Sequence, residues 1–171
     1  MHVGILGGTG PAGSGLAIRL ASVGLEVTIG SRTKERAQEA VEKLLAKYPD
    51  RTFMLDAGDN KRAASADVVV IATPWDAAAT TAQSVGNQLA GKVVISMANA
   101  LAKVGDEFQP LVPPRGSVAA SVQAVLPQSH VAAAFHHLPA RELADIDHAI
   151  DSDVLVCSDH ISATETTCEI V

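Results

Sequence analysis

Val3-Gly4-Ile5-Leu6-Gly7-Gly8-Thr9-Gly10-Pro11-Ala12-Gly13 opens the chain with an apolar run that passes straight into glycines. Gly8, Gly10 and Gly13 fit the spacing G-x-G-x-x-G, with a strand predicted before it over residues 2–6 and a helix after it from 11 to 23. Each glycine has a physical task there: a tight turn, a backbone close enough to touch a pyrophosphate, and close packing of helix on strand. Pro11 suits the first helical turn, where no amide hydrogen is needed. The helix start then offers free N–H groups and a partial positive charge to phosphate. Glycines are common in turns, so the spacing alone is weak; its place directly after the first strand gives it weight.

Strand-like and helix-like stretches alternate onward from this point. Gly24 is placed to end the first helix in the left-handed conformation. Residues 25–29 read as a second strand, and 33–47 as an amphipathic helix with Lys34, Glu35, Arg36 and Glu39 on its wet face. A short strand over 53–56 and a short helix over 63–66 follow. Val68-Val69-Val70-Ile71 is the continuous apolar run of a parallel strand buried on both faces. A helix over 76–88 and a strand over 92–96 complete the regular half. Beyond it, Pro110, Pro113 and Pro114 mark 105–116 as a loop or lid. Helices are expected over 117–125 and 142–150, and strands over 131–135 and 154–157. A last helix begins at 163 with Cys168, Ile170 and Val171 at its apolar positions and no cap signal after it. This alternation predicts an α/β fold, a doubly wound parallel sheet with helices on both faces, in one domain spanning 1–171.

The residues after the second strand choose between dinucleotides. A site for the unphosphorylated form places a carboxylate there to hold the ribose 2′-hydroxyl. Here the run is Gly30-Ser31-Arg32-Thr33-Lys34-Glu35-Arg36. Arg32 can take a 2′-phosphate, Ser31 can donate its hydroxyl, and Arg36 lies one helical turn later on the same side. Thr9 can reach the same phosphate from the glycine loop. Charge-assisted hydrogen bonds contribute about 1.5–3 kcal/mol each, so two of them favour NADP over NAD by roughly 10²–10⁴.

Composition excludes other classes. With 13 basic and 19 acidic residues among 171, the net charge is −6, and there are five aromatic residues. That balance argues against nucleic acid, which asks for a basic face and stacking rings, and against an anionic membrane surface. No apolar run approaches the ~18 residues of a membrane span. The start of the chain lacks the basic lead and length of a signal peptide, and two cysteines make no disulfide framework, so the expected location is cytoplasmic.

Several chemistries are missing. Tyr48 has no lysine at the spacing of a Tyr-x-x-x-Lys proton relay. There is no His-Glu-x-x-His and no Gly-x-Ser-x-Gly. Asp145, Asp147, Asp151, Asp153 and Asp159, with His148 and His160, fit no calcium loop and read as a solvated helix and loop, so no metal is expected. Cys157, with nothing basic beside it, reads as a core thiol. His136 and His137 follow a strand, where ligands bind; they are nicotinamide or acceptor contacts, or simply loop histidines. Trp75 after Pro74 is a wall of the cofactor cleft or a packing residue at a helix start.

Gly7-Gly8-Thr9-Gly10, Gly30-Ser31-Arg32, Thr73-Pro74-Trp75 and His136-His137-Leu138-Pro139-Ala140, in this order, resemble the NADPH-dependent coenzyme F420 reductases. The likeness spans nearly the whole chain. It implies a Rossmann-type enzyme that moves hydride between NADP(H) and the 5-deazaflavin coenzyme F420. It also implies a phosphate role for Thr9, Ser31, Arg32 and Arg36, a pyrophosphate role for the Gly8, Thr9, Gly10, Pro11, Ala12, Gly13 loop, and a ring-side role for Pro74, Trp75, Met97, His136 and Ala140. Members of that family continue beyond the point matching Val171 with a segment that serves the deazaflavin site and a homodimer. Two other classes share the first half of the chain: a reductase of imines or metal ions that uses NADP, and a non-catalytic NADP(H)-binding sensor.

Overall fold

The computed structural model describes residues 1–171. In chain order the elements are β1 (His2–Leu6), α1 (Pro11–Ser22), β2 (Glu26–Ser31), α2 (Lys34–Leu45), β3 (Leu55–Asp59), α3 (Asn60–Ala63), β4 (Val68–Ile71), α4 (Trp75–Ser84), α5 (Gly86–Leu89), β5 (Val93–Ser96), β6 (Leu101–Val104), β7 (Glu107–Pro110), α6 (Val118–Val125), β8 (His130–Ala133), α7 (Ala140–Ala144), β9 (Cys157–Ser158) and α8 (Ile161–Ile170). Seven strands form one sheet in the order β3-β2-β1-β4-β5-β8-β9. Every pairing is parallel except β8 with β9. The chain order reverses between β1 and β4, which flank the switch point of a doubly wound sheet.

Period-two alternation splits the apolar residues between two cores. Val3, Ile5, Val27, Ile29, Val68, Val70 and Ile95 face α1 and α2, while Leu6, Val69, Ile71, Val94 and Val131 face α4 and α6. The run Val68–Ile71 is therefore uniformly apolar because both of its faces are covered. Gly24 has φ +89 and ends α1 as expected. Asn60, not Ala63, opens the short third helix, because the Asp59 carboxylate accepts from the Arg62 amide and caps it.

Four expectations are corrected. Residues 105–116 are not all loop: Leu101–Val104 and Glu107–Pro110 pair antiparallel as a separate hairpin about a two-residue Gly105-Asp106 turn, with Gly105 at φ +62. Pro110 is tolerated because it ends an edge strand. The helix expected over 142–150 is only Ala140–Ala144, since Arg19 of α1 donates to the carbonyls of Glu142, Leu143, Asp145 and His148 and takes the acceptors a continuing helix would use. The last strand is shorter than expected and antiparallel on the sheet edge, which leaves Cys157 exposed, not in the core. In α8 the inward residues are Ala163, Thr167 and Ile170; Cys168 and Val171 face outward.

Candidate active site

Parallel pairing sets the C-terminal tips of β2, β1, β4, β5 and β8 along one edge of the sheet. Four strand spacings separate the outer two, roughly 19 Å at ~4.8 Å each. In order along this edge lie Ser31-Arg32, the Gly7–Gly13 loop, Thr73-Pro74-Trp75, Met97 and His136. Four sequence motifs that are more than a hundred residues apart end to end are thus brought to one crevice, at the place where open α/β sheets bind ligands.

The glycine loop is built differently at its three positions. A Cβ on Gly13 would lie 2.8 Å from Gly8 Cα and 2.9 Å from Ala72 Cβ, so this glycine serves the packing of α1 on the sheet. Around Gly10, the N-cap of α1, nothing lies within 4 Å of such a Cβ, and the backbone stands open to a ligand. The Gly8 amide donates to the Gly30 carbonyl at 2.9 Å, tying the loop to the tip of β2. On the other side the Gly7 amide (φ +69) donates to Asn60 Oδ1 at 3.3 Å. Asn60 was not singled out from sequence. Its role depends on β3 and α3 returning beside β1, and no local spacing signals that.

At the anion end, Ser31 is buried at the last position of β2, and Arg32 beyond it is exposed. Thr9, Ser14 and Arg36 share a cleft of about 520 Å³ with Lys43 and Lys47, with Glu39 also on its wall; Arg32 stands outside this cleft. The ion pairs of the chain are Arg51–Asp147, Arg62–Asp56 and His148–Asp145. Arg32 and Arg36 take part in none of them. The carboxylate nearest in register to Ser31 is Asp59, which is occupied as the cap of α3. At the tip of β2 Arg32 and Arg36 are free of ion pairs and the carboxylate in register with Ser31 is engaged, the electrostatics that suit a 2′-phosphate, with Glu39 on the far wall of the cleft. Of the acidic cluster noted in the sequence, Asp145 and Asp147 are engaged by His148 and Arg51. The Asp145 carboxyl is held below the usual range chiefly by its hydrogen bond from His148.

Of four buried side-chain polar atoms without a hydrogen-bond partner, three lie at the ring end, Thr73 Oγ1, Ser96 Oγ and His136 Nδ1, and the fourth, Thr167 Oγ1, is in α8. The first three sit at the tips of three successive strands, β4, β5 and β8. A buried donor or acceptor without a partner costs about 1–3 kcal/mol, so their collection at one edge marks a place made for a polar ligand. His136 lies between a cavity of about 210 Å³ walled by Asn99, Leu111 and Pro113 and a larger one of about 720 Å³ that reaches Gln123, Cys157 and Asp159. Burial, and secondarily the neighbouring His137, pushes the His136 imidazole below the usual histidine range, which favours its neutral form. Phe135 immediately before it has φ +62, uncommon for an aromatic residue, and this turns the chain off the sheet. Trp75 is half-buried as the first residue of α4, and Pro74 before it is exposed.

Two ring-side candidates are placed elsewhere by their side chains. Met97 is buried in the core with Ile95 and Phe135, and its amide extends the ladder to the Ile71 carbonyl at 3.2 Å. Ala140 starts α7 against α1, its carbonyl 3.0 Å from where a Gly15 Cβ would stand, and it lines neither cavity beside His136.

The open glycine cradle, the two free guanidinium groups and the orphaned Thr73 and Ser96 hydroxyls fit a phosphorylated nicotinamide dinucleotide laid from β2 to β5, with His136 beyond it at β8. The fold and this edge define a Rossmann-type NADP-binding oxidoreductase domain. Over residues 2–100 the chain matches the family model for NADP oxidoreductase, coenzyme F420-dependent. It is 39% identical to the F420-dependent NADP reductase of Methanocaldococcus jannaschii over 99% of this chain and 78% of that one. Against the reductase of the same name from Methanothermobacter thermautotrophicus the identity is 35%, over 99% and 75%. The chain belongs to the coenzyme F420-dependent NADP oxidoreductase family. A pyrroline carboxylate reductase from Plasmodium falciparum, solved with NADP bound, shares the fold at TM-score 0.61 and 15% identity, over 99% of this chain and 53% of that one. No helix is long and apolar enough to cross a membrane.

Proposed function

We propose that this protein transfers hydride between NADP(H) and coenzyme F420 in the crevice over the β1–β4 switch point. The carrying observation is the order of groups along the sheet edge: free arginines at β2, an open glycine cradle at β1, and unpartnered polar atoms at β4, β5 and β8. In this reading Ser31, Arg32 and Arg36, with Thr9, hold the 2′-phosphate. The loop residues Gly8, Thr9, Gly10, Pro11, Ala12 and Gly13 hold the pyrophosphate on the start of α1. Pro74, Trp75 and His136, with the backbone at Met97 and Ala140, bound the rings.

The chemistry asks little acid–base work of the protein. When both are bound, the C4 hydride of the reduced nicotinamide passes with its electron pair to C5 of the deazaflavin, and one proton from solvent balances the reduced acceptor. The chain's contribution is to hold the two rings at near-attack distance and exclude water between them. A neutral His136 serves this purpose, since an imidazolium there would oppose the positive charge that forms on the oxidised nicotinamide. Assembly as a homodimer, and a cytoplasmic setting, accord with a soluble hydride carrier of this type.

Anaerobic mixing with NADPH and coenzyme F420, followed by loss of the deazaflavin's visible absorbance, tests the reading. Rapid loss with NADPH and little with NADH is expected. Binding of NADPH without any loss would favour the sensor; turnover of imines or metal ions in place of F420 would favour another reductase.

A further inference from the structure

Asn60 carries a side chain that its own helix does not use. α3 is capped by the Asp59 carboxylate, which accepts from the Arg62 amide at 2.8 Å, and the main-chain carbonyl of Asn60 accepts from the Ala64 amide at 2.9 Å. The Asn60 carboxamide takes part in one hydrogen bond, accepting from the Gly7 amide 53 positions away. Asparagine is among the poorer helix formers, so α3 by itself gives no reason for it. The reason lies across the sheet, in the glycine loop.

Two glycines outside the G-x-G-x-x-G run make this contact possible. Gly4 of β1 pairs with Thr28, two positions before Gly30 on β2, so Gly4 and Gly30 share a face of the sheet. A Cβ on Gly4 would overlap the Ala63 carbonyl oxygen, and one on Gly30 would lie 2.7 Å from Ala63 Cβ and 3.0 Å from Asn60 Oδ1. Neither glycine has a positive φ, so each serves close approach and not an unusual backbone. Together they let α3 rest directly on strand backbone, which brings Asn60 within reach of Gly7. Gly7 itself joins β1 to the cradle at φ +69, and a Cβ there would run into the Thr73 side chain. The Gly8 amide that follows is tied to the Gly30 carbonyl at 2.9 Å. Two consecutive amides of the loop are thus held, one by strand backbone and one by Asn60. A residue without a Cβ turns freely once a tie is lost, and the amides beyond it, towards the start of α1, then lose their aim.

We propose that Asn60 is a positioning residue for the dinucleotide: it fixes the Gly7 peptide and, through it, the cradle that receives the pyrophosphate, while Gly4 and Gly30 form the seat that brings it there. This rests on the dinucleotide reading above and adds to it a residue that acts on the ligand through the loop alone.

The test uses the full chain and two readouts, dinucleotide titration and amide hydrogen exchange of the ligand-free protein labelled with ¹⁵N-glycine. Asn60→Ala should weaken NADPH and NADH by the same factor, about fivefold, the weight of one neutral hydrogen bond. Equal loss marks the pyrophosphate, which both share; a side chain touching the 2′-phosphate would weaken NADPH alone. Without ligand, the Gly7 amide should exchange about fivefold faster in Asn60→Ala, with the strand amides of β1 unchanged. Asn60→Asp keeps an acceptor and should restore the protection of Gly7. Its added charge should lower the affinity for both dinucleotides by an amount that shrinks as ionic strength rises, which the Asn60→Ala loss should not do. Gly30→Ala, compared at a temperature where circular dichroism shows it folded, should reproduce the equal loss by lifting α3 off its seat. A loss confined to NADPH, or unchanged Gly7 exchange in Asn60→Ala, overturns the proposal, and wild-type binding by Gly30→Ala overturns the seat. If the variants behave as expected while the wild type leaves F420 unreduced, the functional reading fails and the role of Asn60 stands; a wild type that binds neither dinucleotide overturns both.

Discussion

Gly10→Ala and Gly13→Ala change the same atom count three residues apart and should break different things. At Gly13 the new methyl would sit 2.8 Å from Gly8 Cα and 2.9 Å from Ala72 Cβ, so backbone has to move. Overpacking of this kind costs about 1–3 kcal/mol. For a chain of this length each kcal/mol lowers Tm by about 2–4 °C, which gives a fall of about 2–12 °C. At Gly10 the methyl meets nothing within 4 Å. Alanine is a slightly poorer N-cap than glycine, by about half a kcal/mol. Its smaller unfolded-state entropy returns a similar ~0.4–1 kcal/mol, so Tm should move by about 2 °C at most. That same methyl stands where the pyrophosphate must approach, and NADPH affinity should fall about tenfold or more. Thermal unfolding without ligand and NADPH fluorescence titration measure the two effects separately. A Gly10→Ala protein that binds NADPH like the wild type, or a Gly13→Ala protein of unchanged Tm, would refute the division of labour in the loop.

Arg32→Ala should weaken NADPH binding at least about tenfold and leave NADH nearly unchanged, since one charge-assisted contact to the 2′-phosphate is lost; equal losses for both dinucleotides in parallel titrations would exclude that contact. Arg19→Ala removes the guanidinium that holds the carbonyls of Glu142, Leu143, Asp145 and His148. Some of those carbonyls rehydrate, so the expected cost is about 2–3 kcal/mol, and Arg19→Lys should recover less than half because an ammonium lacks the planar fork; denaturant unfolding measures both. The depressed His136 makes stability depend on pH with a definite sign. Its folded form resists protonation, so unfolding takes up a proton on acidification. The stability is whole above the ordinary histidine value near ~6.5 and declines as pH falls from there towards the lower folded value. Tm measured across that window should fall with pH, and His136→Asn should flatten the slope.

Legibility in the sequence followed the reach of the interactions. The glycine loop, Gly24, the buried run Val68–Ile71 and the arginine after β2 are signalled by residues within a few positions of one another, and all were readable. The short α7 was not, because the residue that ends it, Arg19, is more than 120 positions away. Cys157 looked like core in an apolar run, yet β9 is an antiparallel edge strand whose pairing with β8 is set by the chain's return path. Prolines hid the β6–β7 hairpin: Gly105-Asp106 is a turn signal, but both flanking strands lie exposed, so the alternation that identifies a half-buried strand was missing. Asn60 was invisible for the same reason as Arg19. It touches the glycine loop from 53 positions away.

In the proposed reaction hydride passes directly from nicotinamide to deazaflavin within one crevice. NADPH deuterated at C4, prepared separately on each face, should be oxidised by F420 under anaerobic conditions with the reduced deazaflavin analysed by mass spectrometry. One of the two preparations should deliver its deuterium to C5 of the product with no loss to water, and the other should deliver none. Reduced F420 free of label from both, with deuterium in the solvent, would contradict direct transfer.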